Sequence, residues 1–260
     1  MSEIKALVCG DTHGDFKRFS SRNFKYKNAN GLYVNGYDNC TPENTFVFIC
    51  GDFGGVFSSK PFKDEVKNEK YWLDWLATKP VTFIIVGGNH ENYSAIEANY
   101  QLDQWRGATV RFIRSNIIWV ERGEIIELDG KRFWCFGGAK STDKDWRVPE
   151  ESWWAREQAS QAEYDYGYKT FSENWDNIDY IISHAAPAQI ANFMPGCRGD
   201  SETEIFLNRI WWLNQRQVPH FCGHMHHNFH YDMYGYDVTI LYEQIMELPE
   251  SKIKVDKESV

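Results

Sequence analysis

One pattern constrains this chain more than any other and occurs five times: an apolar or β-branched run, long enough for a strand, ends abruptly in Asp, Asn or His. "IKALVCGDTHGD" closes on Asp11, His13 and Asp15, "TFVFICGDFGG" on Asp52, and "VTFIIVGGNHENYS" on Asn89, His90 and Glu91. "IDYIISHAAP" closes on His184, and "VPHFCGHMHHN" on His224, His226 and His227. Open α/β sheets gather ligands just past the carboxyl ends of their strands, so one shared site accounts for all five. Each piece alone has an ordinary reading, since Asp-x-His after a strand makes a turn with an Asx hydrogen bond and a single histidine serves structure. Together they form a polar cluster whose burial is costly unless something cationic binds it. Mixed imidazole and carboxylate donors suit Mn, Fe or Zn better than Ca or Mg alone, and the surplus over four ligands indicates two divalent ions.

Strand-like runs span Ile4–Val8, Thr45–Cys50, Val81–Val86, Thr109–Ile113, Ile117–Val120, Lys131–Phe136, Ile178–Ser183, Phe221–Cys222 and Val238–Tyr242. Helical spacing of apolar residues appears over Lys63–Thr78 (Val66, Trp72, Leu73, Leu76) and Glu202–Arg216 (Ile205, Phe206, Ile210, Trp211, Leu213),. Alternating strands and helices predict an α/β layout with a mixed sheet, and the closely spaced strands from Thr109 to Phe136 read as an antiparallel meander inserted into it. Residues 1–248 read as a single domain, with an aromatic-rich insertion around 140–175 and a polar tail at 249–260,. The aromatic stretch, including Trp153, Trp154, Tyr164, Tyr166, Tyr168 and Phe171, is expected to pack core; a wall for stacking substrate is the alternative,.

A chain of 260 residues, 42% of them hydrophobic, can bury a large core,. Its 28 basic against 37 acidic residues give a net charge of −9, which repels extended nucleic acid,. The six cysteines form no CxxC pair and several lie in apolar runs, which fits a reducing cytoplasm,. No run is long enough to span a membrane, and no signal-peptide pattern opens the chain. A GxSxG elbow and a Gly-Lys-Ser/Thr P-loop ending are both missing, which disfavours a serine hydrolase and a P-loop NTPase,.

The ordered set "GDTHG", "GDFGG", "GNHE", "SHAAP" and "GHMH", spread from Gly10 to His226, resembles the calcineurin-like metallophosphoesterases. The resemblance implies an αββα sandwich, two mixed β-sheets flanked by helices, with a dinuclear centre at the strand ends. Carried over position by position, it implies that Asp11, His13, Asp52 and His226 hold one ion, and that Asp52, Asn89, His184 and His224 hold the other, with Asp52 bridging. It also implies that His90 is the general acid for the leaving group, while paired cations activate water for in-line attack on phosphorus.

The pattern departs from many relatives after the second motif, where GDxxDRG is replaced by Phe53, Gly54, Gly55 and Val56 behind Asp52. That weakens the link to protein phosphatases. "FGGAKSTDKDWR" offers Lys140, Asp143 and Arg147 as substitutes, with Arg147 predicted to contact phosphate and Arg198 a weaker candidate. Asp15 and Glu91 are expected to support ligands or face solvent, and His220, His227 and His230 to stay outside the site. The leading expectation is hydrolysis of a phosphorylated small molecule or nucleotide, a phosphatase being slightly favoured; a phosphodiesterase or nuclease of the same fold is the alternative. An inactive scaffold is the reading from another class, and the complete ligand set with His90 argues against it.

Overall fold

Every residue of Thr45–Cys50 is buried, and the two sides of this strand face different cores. Val47 and Ile49 belong to one apolar cluster, and Phe46, Phe48 and Cys50 to another. Side chains alternate across a strand, so an all-apolar run needs a packed layer on both faces, as parallel sheets have. In the computed structural model, which describes residues 4–58, 63–214, 217–233 and 236–250, that requirement is met by four layers.

The larger sheet has nine strands among the described residues, in the order Tyr33–Asn35, Lys25–Lys27, Ile245–Glu247, Lys5–Cys9, Thr45–Cys50, Thr82–Val86, Ile117–Val120, Ala108–Arg114 and Leu102–Trp105. The four strands from Lys5–Cys9 to Ile117–Val120 pair in parallel. The smaller sheet runs Phe229–Met233, Tyr236–Ile240, His220–Cys222, Tyr180–Ser183, Lys131–Phe136 and Glu124–Leu128, with its three middle pairings parallel and the pairing at each end antiparallel. Between the sheets, Phe48 stacks on Phe133 and Phe133 on Tyr180, with ring centroids 4.8 and 4.9 Å apart. Such rings each contribute roughly 1.5–3 kcal/mol of apolar burial.

Helices Lys63–Leu76 and Tyr93–Asn99 cover the outer face of the large sheet through Leu73, Leu76 and Ile96. Helices Gln161–Asn174 and Glu202–Leu213 cover the small sheet, where Phe171, Phe206, Leu207 and Ile210 pack on Trp134 and Phe136. Both of these helices start with a complete capping box, Ser160 with Glu163 and Ser201 with Glu204,. The arrangement is two mixed sheets flanked by helices, as expected.

Three expectations need amendment. The strands between Thr109 and Phe136 do not form one meander: Ala108–Arg114 and Ile117–Val120 pair in the large sheet, while Glu124–Leu128 and Lys131–Phe136 pair in the small one. The chain changes sheets between Val120 and Glu124, a step that leaves no mark in local hydrophobic pattern. The aromatic stretch is not one wall: Tyr164, Phe171 and Trp154 are buried, whereas Tyr166, Tyr168 and Trp146 are exposed. The helix expected over Glu202–Arg216 ends at Leu213; Arg216, the Val66 side chain and tail residues 251–260 lie outside the described residues.

Candidate metal centre

Because the central strands of each sheet are parallel, their carboxyl ends share an edge, and the two sheets present those edges to each other. His184 Nδ1 donates 2.7 Å to the Cys50 carbonyl oxygen, tying the end of Tyr180–Ser183 to the end of Thr45–Cys50 across the sandwich. The glycines at these turns are there for space. A Cβ on Gly51, where φ is +89°, would lie 2.0 Å from the His184 ring, and one on Gly88 would lie 2.1 Å from Asp52 Oδ1,.

Backbone strain collects at the same edge. Nine non-glycine residues among those described have positive φ, and four of them are His13 (45°), Asp52 (46°), His224 (66°) and His226 (51°). Left-handed backbone at such residues costs of order 1–3 kcal/mol and persists where the surroundings over-determine it. Here it turns each side chain out of its strand direction toward a common point.

Donor atoms of Asp11, His13, Asp52 and His226 lie within 4.8 Å of one another. His226 Nε2 is 3.3 Å from Asp11 Oδ2 and 3.0 Å from His13 Nε2. Asp52 faces both halves of the cluster, with Oδ2 3.6 Å from His13 Nε2 and Oδ1 3.5 Å from His184 Nε2. Asn89 Oδ1 is 2.9 Å from His184 Nε2, and the His224 ring packs edge-on to His184 at 4.9 Å. Backbone N–H groups hold the carboxylates: His224 donates to both Asp11 oxygens at 3.0 and 3.1 Å, and His90 donates to Asp52 Oδ1 at 2.8 Å. All seven residues predicted as ligands therefore meet.

Two observations test whether a cation fits. Asp52 Oδ2 is buried and accepts no hydrogen bond, which is costly for a carboxylate oxygen. His184 must carry its Nδ1 proton to satisfy the Cys50 carbonyl, so in the neutral ring Nε2 is an acceptor and faces a second acceptor, Asn89 Oδ1,. Opposed lone pairs and an orphan carboxylate oxygen are what a metal ion neutralises. The titration tendencies agree: burial lowers the His13 pKa despite nearby carboxylates, and burial with His184 brings His224 down to about 4, so both rings offer lone pairs at neutral pH. Burial pushes the Asp52 carboxyl up, but the neighbouring His184 and His90 imidazoles and the His90 N–H outweigh it and hold it below its usual value.

The family model for calcineurin-like phosphoesterases matches residues 4–237. The chain belongs to the calcineurin-like phosphoesterase family. It is thus a metallophosphoesterase, a phosphoric ester hydrolase of a family that typically depends on two metal ions. No curated protein matches it. Among solved structures, the phosphopantetheinyl hydrolase from Mycobacterium tuberculosis is similar with a TM-score of 0.46 at 12% identity, covering 95% of this chain and 96% of that one. A putative 5'-nucleotidase from Staphylococcus aureus is similar with a TM-score of 0.47 at 12% identity, covering 98% of this chain and 56% of that one.

The calcineurin-like pattern is broken after Asp52, and the structure brings Arg147 to that side of the cluster. Arg147 donates Nε and Nη2 to the two oxygens of Asp143 at 2.7 and 2.6 Å, and Nη1 to the Ser152 carbonyl at 2.8 Å. Its Nη2 also comes within 3.3 Å of His90 Nε2. His13, His90 and Arg147 line a cavity of about 360 Å3 together with Phe57 and Ser58. Burial lowers the His90 pKa, and Arg147 adds to the effect against the pull of Asp52 and Asp143. On the far side of the cluster, His224 and Ser141 border a second cavity of about 400 Å3 that also carries Lys140 and Arg198. Arg198 is exposed there, and Lys140 lies 3.7 Å from Asp200.

The remaining candidates fall where their neighbours dictate. Asp15 is exposed beside Arg18. Glu91 does not face solvent: it is fully buried, its Oε1 accepts the Phe53 N–H at 2.5 Å, and burial and then Asp52 push its carboxyl well above the usual value. His220 is buried and paired with Ser183 Oγ at 2.6 Å, burial bringing it down to about 3. His227 and His230 are exposed. Sequence reasoning passed over Glu157, which is 1% exposed yet binds Ser141 through both carboxylate oxygens. A glutamate in an irregular segment looks like surface charge, and nothing local to it marks it as buried.

Proposed function

We propose that this protein hydrolyses a phosphorylated small molecule or nucleotide at a dinuclear centre, with Asp11, His13, Asp52 and His226 holding one divalent ion and Asp52, Asn89, His184 and His224 holding the other. The observation that carries the reading is the Asp52 carboxylate: one oxygen faces His184, the other faces His13 and accepts no hydrogen bond. Paired divalent cations bound by this set supply a water acidified toward neutral pH and positive charge for the phosphoryl oxygens. Mn, Fe and Zn fit the mixed donors.

The chain's own groups do the rest. Arg147, clamped by Asp143, directs a guanidinium N–H into the His90 side of the cluster, where a phosphate oxygen receives a charge-assisted hydrogen bond,. The negative charge of that phosphate favours the imidazolium of His90, whose Nε2 then passes its proton to the departing oxygen. Arg147 and Asp143 thereby supply what the missing Asp and Arg of the GDxxDRG pattern supply in relatives. The net charge of −9 favours small substrates over extended nucleic acid,. A phosphomonoester remains slightly favoured over a diester. Six free thiols, five of them buried, support a cytoplasmic location, and no helix among the described residues is long and apolar enough to cross a membrane.

The test is metal analysis of the purified protein combined with a hydrolysis panel of phosphorylated metabolites, nucleotides, phosphopeptides and oligonucleotides. Close to two ions per chain and turnover of small monoesters are expected. A protein replete with Mn or Zn that hydrolyses nothing in the panel would overturn the proposal.

A further inference from the structure

A second acceptor problem lies behind the metal centre, at the amide of Asn89. An amide has one oxygen end and one nitrogen end of nearly the same shape, and only the oxygen end can ligate a cation. Something must decide which end faces the ions.

We propose that Glu157 is the positioning residue that makes this choice, acting through the Ser141 hydroxyl; the inference rests on the metal-ligand reading above. Glu157, Ser141 and Asn89 are 1%, 4% and 3% exposed, so water does not compete. Glu157 Oε1 accepts the Ser141 N–H at 2.9 Å, and Oε2 accepts the Ser141 hydroxyl at 2.5 Å, the length of a charge-assisted O–H···O− bond,. A carboxylate has no proton to give, so the hydroxyl spends its only proton on Glu157. Its oxygen is left with lone pairs alone, and Asn89 Nδ2 donates to it at 3.0 Å. With Nδ2 held from behind, Oδ1 is forced toward His184 Nε2. Every bond in the relay runs in one direction, and the direction originates at the acceptor-only carboxylate.

A purely structural role for Glu157, fastening the segment around Ser141, makes a different forecast for an isosteric change. In Glu157→Gln the Ser141 N–H still needs an acceptor, so the amide oxygen takes the Oε1 position. The amide nitrogen then sits against Ser141 Oγ and donates to it. The hydroxyl proton, which has lost its acceptor, turns toward Asn89, and the amide then presents its oxygen to Ser141 and its NH2 to the cations. Packing is conserved while polarity is reversed.

The experiment is equilibrium dialysis against Mn2+ with metal counting, on wild type, Glu157→Gln, Ser141→Ala, the double variant and Asn89→Ala, with circular dichroism to confirm folding. Glu157→Gln is expected to bind one ion as wild type does and the other roughly 10–100-fold more weakly, the usual effect of losing a partner that orients a ligand. In the Ser141→Ala background the same substitution should add no further loss, since its route to Asn89 is already cut. Adding Asn89→Asp to Glu157→Gln should restore the second ion, because an aspartate offers oxygen at both ends. If Asn89→Ala loses one ion while Glu157→Gln keeps both at wild-type affinity, the relay is wrong and the ligand assignment stands. Losses from Glu157→Gln and Ser141→Ala that simply add also overturn the relay. Should Asn89→Ala bind both ions like wild type, the ligand assignment itself fails and the relay falls with it.

Discussion

Arg147 Nη2 stands 3.3 Å from Nε2 of His90, a residue 57 positions earlier in the chain. The pair is formed because Asp143 grips the guanidinium with both oxygens and the Ser152 carbonyl holds its third corner, which leaves the second N–H of Nη2 directed at His90. Truncating Arg147 to Ala removes a charge-assisted contact of about 1.5–3 kcal/mol, and kcat/KM should fall about 10–100-fold. Arg147→Lys should not restore it, because an ammonium cannot replace the fork held by Asp143. Steady-state kinetics on the best substrate decide; unchanged KM and kcat in Arg147→Ala would leave Arg147 an ordinary loop charge.

His90 is tied to the cluster through its backbone N–H, which donates to Asp52 Oδ1, and the proposed function gives its side chain no ion to hold. Replacing it with Asn should leave both ions bound and lower kcat by ~10²–10⁴-fold for a poor leaving group. The loss should shrink for an aryl phosphate, whose leaving oxygen needs little protonation. Comparing alkyl and aryl esters in the variant measures the contrast, and equal losses on both would remove His90 from the acid role.

Asp52→Asn should strip the centre of more than one ion, since each oxygen of Asp52 faces a different half of the cluster. Chelation of the wild-type protein should abolish hydrolysis and lower Tm, because ions that bind only the folded chain stabilise it by mass action. Re-addition of Mn, Fe or Zn should restore both. Calorimetry with and without EDTA tests the linkage, and a Tm indifferent to chelation would contradict a filled centre.

Glu163 ties the Ser160 cap to Arg156 and Arg122. Burial pushes its carboxyl up, but the Arg156 hydrogen bonds, the Arg122 charge and the Ser160 cap outweigh it, bringing it to about 2 from 4.5. A depressed folded-state pKa stabilises above the unfolded value and loses that contribution as pH falls through the folded one. The Tm gap between wild type and Glu163→Gln should therefore be full above about pH 4.5 and close as pH approaches about 2. Melting curves across that range check it; a gap independent of pH would mean that the carboxylate charge plays no part.

The cluster of candidate ligands was legible in sequence because parallel strands export their terminal residues to one edge, which makes each candidate a local signal: an apolar run, a glycine, then a donor. Arg147 was legible only as a candidate after a Gly-Gly turn. Its partner His90 depends on how residues 138–157 fold back across the sandwich, which no local pattern encodes. Glu157 and Glu91 were hidden for the same reason, since a charged residue announces its burial only through neighbours distant along the chain.

By itself the sequence determined which residue types end the strands, that strands and helices alternate in an α/β layout with a mixed sheet, and that the clustered donors call for cations, because all three follow from periodicity and desolvation within short segments. Tertiary structure alone decided the point at which the chain leaves one sheet for the other between Val120 and Glu124. It also decided which oxygen of Asp52 faces which histidine, and the buried path from Glu157 to Asn89. Those depend on contacts of long sequence separation, where hydrogen-bond direction and close packing, rather than composition, select one arrangement.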